Sequence, residues 1–389
     1  MNTSNRWLLP DGIEEVLPPQ AEHVEAVRRR LLDQFALAGF ELVVTPMLEY
    51  LESLLTGTGS DLDLKTFKVT DQVTGRTMGV RADITPQVAR IDAHSLGRDG
   101  VTRLCYAGTV LHAIADNQLA SRSPISVGAE LFGDTGRAGD LEIVSLLIDC
   151  IRAEDIPAVH LELGDVGIFR DLMNETDLDS VSRENLFALI QRKASAELAA
   201  AVGESTVSGR TAEQIKALPS LCGGADVLDR ARAAFAGNEA VLARIDHLGA
   251  VADGLRSRFP ALDVYFDLAE LRGYAYHTGI VFAAYKEGTA IRLAKGGRYD
   301  DVGAVFGRAR AATGFDIDLK ALAAASRKVV APARRVSAPH GEAAHEAARW
   351  ASIQSLRQQG YVVVEGEDPA ADHVLVLQDN EWKLVEQKS

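Results

Sequence analysis

The feature that most constrains the fold is a series of short segments in which apolar and polar residues alternate. Two of them, TRLCYAGTVLHA (102–113) and PISVGAELFGD (124–134), are separated only by a polar loop. Four more follow later in the chain: LDVYFDL (262–268), AYHTGIVFAAY (275–285), TAIRLAKGGRYDD (289–301) and ATGFDIDL (312–319). Strands that arrive as hairpins, without a helix between each pair, favour an antiparallel sheet flanked by helices. The pattern therefore predicts an α+β fold.

Helical segments surround these strands and divide the chain. Residues 166–258 are rich in alanine and predict a helical insertion into the sheet-forming core. The Pro, Ala and Ser content of APARRVSAPHG (331–341) predicts a linker. We therefore expect a core domain over residues 1–330, followed over residues 331–389 by the linker and a small C-terminal α/β region.

Local signals predict several element boundaries. Thr74 and Gly75 suit the turn of a hairpin. Thr85 suits the N-cap of a helix and Pro86 its first position. Asp140 is expected to cap the helix that follows it.

Composition restricts the classes of function. The net charge of −14 and the pI of about 5.2 count against nucleic-acid binding, because each neutralised phosphate needs a lysine or arginine. The cysteines are three in number and lack CxxC spacing, which disfavours a disulfide framework or a zinc site. The N-terminus has no basic segment followed by an apolar one, and no apolar run is long enough to span a bilayer. A cytoplasmic protein is expected.

Two segments carry candidate ligands for an amine. In VRADITPQ, Asp83 and Thr85 share one face of an extended backbone and precede a helix. In SVGAELF, Glu130 shares a face with Ser126 and with Gly128, which leaves room for a ligand. A carboxylate and a hydroxyl together suit a cationic amine. The alternatives are that Asp83 and Thr85 only cap the helix, and that Glu130 is a solvated strand residue.

A third segment, ELRGYAYHTGIVF, carries a candidate ligand for a carboxylate. Arg272, Tyr274 and Tyr276 alternate, which places them on one face of a strand with His277 opposite. A guanidinium forks onto a carboxylate, and flanking rings pack against the body of a ligand. The alternative is an arginine whose stem covers a half-buried sheet.

Other chemistries lack their motifs. AKGGRYDDV is rich in glycine but has neither the GxxxxGK[ST] pattern nor the dinucleotide fingerprint. The sequence contains no HExxH and no GxSxG motif, and none of its nine histidines lies at metal-ligand spacing with another. Together the three candidate segments describe an amino-acid pocket with no metal and no cofactor.

The order of motifs resembles the class II aminoacyl-tRNA synthetases, and specifically histidyl-tRNA synthetase, over residues 7–325. The segments that carry the resemblance are GFELVVTPMLEY (motif 1), TRLCYAGTVLHA with PISVGAELFG (motif 2), LRGYAYHTGIVF (the histidine-specific signature) and GGRYDDVGAVFG with ATGFDIDLKALA (motif 3). The resemblance implies a six- or seven-stranded antiparallel sheet flanked by helices, with an insertion after motif 2. It also implies a homodimer formed through the motif 1 region.

The chain departs from the synthetase pattern where ATP would bind. In the synthetase an arginine that binds the α-phosphate ends the motif 2 strand, and here that position is His112. The following loop, AIADNQLASRS, lacks the family's Arg and Glu residues, and Ala321 stands at the position of the motif 3 arginine. Loss of one preorganised donor costs about 10²–10³ in rate, so synthetase activity is expected to be lost. The short acidic tail is also atypical of an anticodon-binding domain.

The histidine pocket of the family is partly kept. Asp83, Thr85, Glu130, Arg272 and Tyr276 match family positions or conservative variants of them. Two positions differ, because Ser126 replaces a glutamine and His277 replaces a tyrosine. The resemblance implies a histidine-binding site formed by the five matching residues together with His277.

A synthetase paralogue with these properties serves as the regulatory subunit of ATP phosphoribosyltransferase, and VRADITPQVARI and ELRGYAYHTGIVFAAY resemble its signatures closely. That resemblance implies a non-catalytic chain whose partner is the short-form catalytic subunit, at the first step of histidine biosynthesis, and whose effector is L-histidine. Two alternatives stay open: a free-standing sensor of histidine or tRNA, and a degenerate synthetase that still charges tRNA.

Overall fold

The computed structural model describes residues 7–56, 60–115, 120–156, 158–274, 276–289, 291–329 and 334–387. Its helices are α1 (Gln20–Leu37), α2 (Leu51–Leu55), α3 (Ser60–Lys65), α4 (Thr85–Arg90), α5 (Arg137–Arg152), α6 (Val166–Asn174), α7 (Ser180–Gln191), α8 (Ser195–Glu204), α9 (Gly209–Ala217), α10 (Asp226–Ala234), α11 (Glu239–Arg258), α12 (Leu319–Ala325) and α13 (Glu346–Gln358). Its strands are β1 (Glu41–Leu42), β2 (Leu48–Tyr50), β3 (Phe67–Thr70), β4 (Thr77–Val80), β5 (Thr102–Thr109), β6 (Ile125–Phe132), β7 (Val159–Asp165), β8 (Cys222–Gly223), β9 (Asp263–Asp267), β10 (Ile280–Lys286), β11 (Arg292–Arg298), β12 (Ala312–Asp318), β13 (Arg335–Ala338), β14 (Val362–Glu365), β15 (His373–Gln378) and β16 (Glu381–Glu386).

The chain forms two compact units, Met1–Lys328 and Val329–Ser389. A nine-stranded sheet dominates the first unit, in the order β1-β5-β6-β12-β11-β10-β7-β9-β8. The pairs β1/β5 and β7/β9 are parallel, and the other neighbours are antiparallel. The predicted α+β fold is confirmed, although the sheet is wider than the six or seven strands implied by resemblance. The extra width comes from short edge strands that pattern alone does not reveal.

Alternation along the strands separates an apolar face from a polar one. On β6, Val127, Ala129 and Leu131 are fully buried in the main hydrophobic core. Helix α1 packs against this core, and the ring of Phe35 lies 5.8 Å from that of Phe315 on β12. The opposite face of the same strands is left for polar residues, and it carries the candidate site.

The predicted hairpin and helix boundaries agree with the structure in part. Strands β3 and β4 pair as a hairpin, and Gly75 takes a positive φ of 72° in its turn. Helix α4 begins at Thr85, so this residue is the first of the helix and not its N-cap. Asp140 is not a cap either, because it lies inside α5 and is fully buried. Its carboxylate binds Arg298 at 2.8 Å and His247 at 2.8 Å, a tertiary pairing that no local pattern reveals.

The second unit contains a four-stranded sheet, in the order β14-β13-β15-β16, and helix α13. Strand β13 is parallel to both of its neighbours, and β15 and β16 form an antiparallel hairpin. Part of the expected linker was therefore predicted wrongly, because its residues 335–338 form the inner strand β13. Residues 331–333 of that linker lie outside the described residues. Val336 at the centre of β13 is fully buried, so tertiary packing outweighs a loop-like composition.

Within the described residues, no helix is both long enough and apolar enough to cross a lipid bilayer.

Candidate functional site

The candidate site is centred on Glu130, which projects from β6 and is fully buried. The hydroxyl of Thr85 donates to Glu130 Oε1 at 2.8 Å, and the hydroxyl of Tyr299 donates to Oε2. A third hydroxyl, that of Tyr106, lies 3.4 Å from Oε1. The buried carboxylate thus has hydroxyl donors from three separate segments, so Glu130 is not the solvated residue of the alternative interpretation.

A glycine on the neighbouring strand makes room for this carboxylate. Gly314 on β12 lies opposite Glu130 in the strand register. A Cβ atom at Gly314 would fall 1.5 Å from Glu130 Oε2, so any side chain there would displace the carboxylate. The glycine of motif 3 therefore shapes the floor of the site.

Burial and neighbouring acids control the ionisation of Glu130. Burial raises its pKa to about 8, against the hydrogen bonds from Tyr299 and Thr85, and the charges of Asp83 and Asp316 act in the same direction as burial. The pKa of Asp316 is also raised, to about 6, because this carboxyl group is buried. Three carboxyl groups in one region, of which Glu130 is fully buried, favour a cationic ligand, or one that donates hydrogen bonds, and disfavour phosphates.

Asp83 and Thr85 combine the two roles that the sequence left open. Asp83 Oδ1 accepts the backbone N–H of Thr85 at 3.0 Å, which satisfies a free donor at the start of α4. The Thr85 side chain instead turns toward Glu130 and lies 3.2 Å from the hydroxyl of Tyr106. The segment therefore caps the helix through Asp83 and lines the site through Thr85.

Tyr276 and His277 form a wall of the site. The ring of Tyr276 lies 5.1 Å from that of Tyr299, and its hydroxyl is buried without a hydrogen-bond partner among the described residues. Burial and the charge of Glu130 raise its pKa well above the usual value. The ring of His277 packs over Gly297, and this burial lowers its pKa to about 4, so the imidazole is neutral. A neutral ring leaves the acidic character of the site unchanged.

The predicted strand alternation of Arg272, Tyr274 and Tyr276 is wrong. Residues 271–274 and 276–279 lie in turns before β10, and Ala275 lies outside the described residues. Tyr274 packs away from the site, with its ring 5.4 Å from Phe169. A glycine with a positive φ of 74° at position 273 reverses the chain, which the alternating pattern cannot show.

Arg272 lies among acids at a separate wall. Its guanidinium binds Glu270, lies 3.3 Å from Glu162 and lies 3.3 Å from the hydroxyl of Tyr285. This group borders a cavity of about 270 Å³, whose lining also includes Lys193. Arg272 is half-exposed, so its cationic edge stays reachable from solvent.

Sequence reasoning missed several residues of the floor. Ser126 donates a hydrogen bond to Asp316 across β6 and β12, and Lys295 lies opposite Asp316 on β11. Tyr106 and Tyr299 were also missed. The one available signal was the acid of GFDIDL inside an otherwise apolar strand, because Asp316 alternates with buried Phe315 and Ile317.

The region around His112, which the resemblance predicts to correspond to the phosphate site of a synthetase, is held together by backbone carbonyl groups. His112 Nε2 lies 3.0 Å from the carbonyl oxygen of Ala82, and the backbone N–H of His112 donates to the carbonyl of Arg122 at 2.8 Å. Residues 116–119 of the intervening loop lie outside the described residues. The Arg122 guanidinium donates to the carbonyls of His112 and Asp11, both at 2.9 Å. The Arg122 guanidinium is thus engaged by backbone carbonyl groups of the chain.

Ala321 lies in the first turn of α12, at the other side of this region. Its N–H donates to Asp318 Oδ1 at 3.1 Å, an ordinary helix cap. The adjacent Lys320 binds Glu14 at 3.0 Å, and the N–H of Arg122 donates to Gly12 at 2.7 Å. The N-terminal segment, defined here as residues 11–14, thereby contacts both the His112 loop and the Ala321 helix.

The remaining feature of the described residues is the placement of their histidine, cysteine and acidic side chains. No group of three or more His, Cys, Asp or Glu side chains there is placed to hold a metal ion. The three cysteines are free thiols, and two of them, Cys105 and Cys150, are buried.

Comparison with known proteins agrees with the fold and the motif order. The histidyl-tRNA synthetase family matches residues 12–322. Among curated relatives, an ATP phosphoribosyltransferase regulatory subunit of Ectopseudomonas mendocina is 50% identical over 395 residues, which cover 99% of each chain. One solved structure, an ATP phosphoribosyltransferase regulatory subunit/histidyl-tRNA synthetase from Bacillus halodurans, has a TM-score of 0.81 at 24% identity and covers 94% of each chain. An ATP phosphoribosyl transferase complex from Thermotoga maritima contains a chain with a TM-score of 0.58 at 19% identity, covering 78% of this chain and 98% of that one.

The fold and the order of motifs are therefore those of the histidyl-tRNA synthetase class. A shared fold does not determine function, so the class alone does not separate charging enzymes from other members. Full-length identity near 50% makes that separation: the chain belongs to the family of ATP phosphoribosyltransferase regulatory subunits.

Proposed function

We propose that this protein activates a short-form catalytic chain of ATP phosphoribosyltransferase and makes the complex sensitive to L-histidine, at the first step of histidine biosynthesis. The observation that carries the proposal is the contrast between the residues around Glu130 and the residues at positions 112 and 321. The buried cluster around Glu130 is intact, whereas His112 and Ala321 stand where a synthetase has phosphate-binding arginines. Such a site suits amino-acid binding without adenylation.

The chemistry of the pocket fits histidine. The buried hydroxyl of Tyr276, which lacks a partner among the described residues, and the carboxyl of Glu130 match the two nitrogens of an imidazole. Asp83 and Thr85 suit the ammonium group, and Arg272 suits the carboxylate. A buried, shared acid cluster also discriminates against ligands that lack donors, because they would leave its acceptors unpaired.

Regulation follows from linkage between two states of the complex. A bound histidine lowers activity only if it binds one assembly state more tightly than the other. We propose a homodimer through the motif 1 region as the scaffold for such states. Its support is the edge strand β1, on which Leu42 is 55% exposed, followed by Val44, which is 89% exposed. The reaction and its small soluble reactants agree with a cytoplasmic location, which belongs to the same proposal.

The test is phosphoribosyl-ATP formation by a short-form catalytic chain, with and without this protein, over a histidine titration. We expect strong activation that histidine reverses. An Arg272→Ala variant should keep the activation and lose the inhibition, whereas Arg192→Ala, an exposed arginine paired with Glu197, should behave as the parent. Absence of both activation and co-elution would overturn the proposal and favour a free-standing histidine sensor. Retained ATP–pyrophosphate exchange would instead favour a degenerate synthetase.

A further inference from the structure

The guanidinium of Arg272 is shared between two carboxylates. Glu270 accepts from its Nε at 2.8 Å and from its backbone N–H at 2.7 Å. Glu162 Oε1 lies 3.3 Å from Nη2. The two carboxylate side chains are only 14% and 16% exposed, while that of Arg272 is 50% exposed. A half-exposed guanidinium therefore binds two carboxylates that are nearly buried.

The charges around Glu162 leave it without a cation of its own. Glu162 projects from β7 and shares Arg272 with Glu270, while Asp267 adds a further negative charge. Across the cavity, the ammonium of Lys193 binds Asp267 at 2.7 Å and is thereby engaged. On the adjacent strands, Glu162 lies beside Tyr265 of β9 and Ala283 of β10, and Tyr285 of β10 contacts Arg272. Gln191 lines the same cavity. His160 precedes Glu162 on β7, and its ring binds Asp263.

Two buried carboxylates beside one cation cannot both stay ionised at little cost. Burial and the neighbouring Glu270 raise the pKa of Glu162 to about 7, while Arg272 lowers the pKa of Glu270 below its usual value. Near neutral pH, Glu162 is thus divided between a carboxylate that binds Arg272 and a neutral acid that donates to Glu270.

We propose that Glu162 is a positioning residue: its protonation frees Arg272 for the carboxylate of a bound amino acid, so that ligand binding takes up a proton. The inference rests on the proposed function, in which Arg272 receives the histidine carboxylate.

The proton count follows from charge. A ligand carboxylate that joins Glu270 and ionised Glu162 would place three negative charges against one guanidinium, and two of these charges belong to side chains that are largely shielded from solvent. Transfer of one proton from water to Glu162 removes one of them and creates a donor for Glu270, while no covalent bond between heavy atoms changes. The ligand carboxylate then replaces Glu162 as the second acceptor of Arg272.

The experiment is calorimetric titration of the full-length protein with L-histidine at pH 7.5, in two buffers of different ionisation enthalpy. A group with a pKa of about 7 is about three-quarters ionised at pH 7.5, so the Glu162→Gln variant should take up about 0.7 fewer protons than the parent. The same pKa predicts that histidine binds the variant about tenfold more tightly than the parent at pH 8, and within twofold at pH 6.

Two further variants separate positioning from a general structural role. Glu162→Asp keeps the carboxylate and should keep the pH dependence. The control is Glu142→Gln, which removes a carboxylate of α5 that binds Arg103 at 2.6 Å. This variant should leave both the proton count and the affinity for histidine unchanged. Histidine binding in the Glu162→Gln variant with the parent's proton count and pH profile would overturn this inference alone. Absence of histidine binding by the parent would overturn it together with the proposed function.

Discussion

The two halves of the site differ in how their polar groups are used. Around Glu130, hydroxyls from three segments converge on a buried carboxyl group, and the hydroxyl of Tyr276 has no hydrogen-bond partner in the part of the chain that the structure describes. Near His112 and Ala321, Arg122 donates to the carbonyl oxygen of Asp11 and Lys320 binds Glu14, both in the N-terminal segment. The Glu130 half has polar groups arranged to bind a ligand, whereas the polar groups of the His112 half bind other groups of the chain.

The two halves can differ in this way because they draw on different elements of the fold. The same two strands, β6 and β12, carry Glu130 with Gly314, and Ser126 with Asp316. Positions 112 and 321 lie outside both strands, so their side chains take no part in this register. Changes at these two positions are therefore expected to leave the amino-acid half unchanged.

The largest effect is expected from a change in the amino-acid half. Glu130→Gln keeps the shape of the side chain but can no longer ionise to pair with a cationic ligand, and histidine binding should weaken about 100-fold. A hydrogen bond to a charged, buried group contributes up to about 3 kcal/mol, which corresponds to that ratio. Calorimetric titration checks the affinity, with Glu142→Gln as the control. A histidine affinity within threefold of the parent would show that Glu130 contributes little to binding, and that the Glu130 half is not organised around a ligand.

A smaller effect concerns stability against pH. Glu130 keeps its proton in the folded protein up to about pH 8, whereas the unfolded chain loses it near pH 4.5. The stability it contributes is therefore present below pH 4.5 and is lost as the pH rises to about 8, at about 1 kcal/mol per pH unit. Asp316 and Asp165, with pKa values of about 6, contribute similarly only below pH 6.

Denaturant unfolding between pH 6.5 and pH 8 measures this slope. The free energy of unfolding of the parent should fall with pH more steeply than that of Glu130→Gln, by about 1 kcal/mol per pH unit. Parallel slopes would mean that Glu130 is already ionised in the folded protein.

The smallest effect is expected from repair of the phosphate half. The double variant His112→Arg, Ala321→Arg restores both arginines, yet ATP–pyrophosphate exchange should stay at the level of the parent. The N-terminal segment still occupies Arg122 and Lys320, and the acids of the site still disfavour phosphates. A tenfold or larger gain in exchange would break the comparison, because it would show that two side chains alone separate the halves. Adding Glu14→Gln tests whether the N-terminal segment accounts for the difference.

Some parts of this fold and site could be predicted because their signals are local. Alternation predicts β5, β6, β9 and β12. The type of residue at position 130 predicts a polar group on the face of β6 opposite the hydrophobic core. Asp140 and the strand at 335–338 were predicted wrongly, because their environment comes from residues far away in the sequence.

The sequence by itself determined the antiparallel hairpins, the family and the absence of arginine at positions 112 and 321, since each of these is a property of consecutive residues or of residue identity. The tertiary structure alone decided which groups meet. Tyr299 reaches Glu130 across 169 positions, and Arg272 reaches Glu162 across 110. Neither pair leaves a mark in local periodicity, because strand order brings them together and burial then sets their protonation.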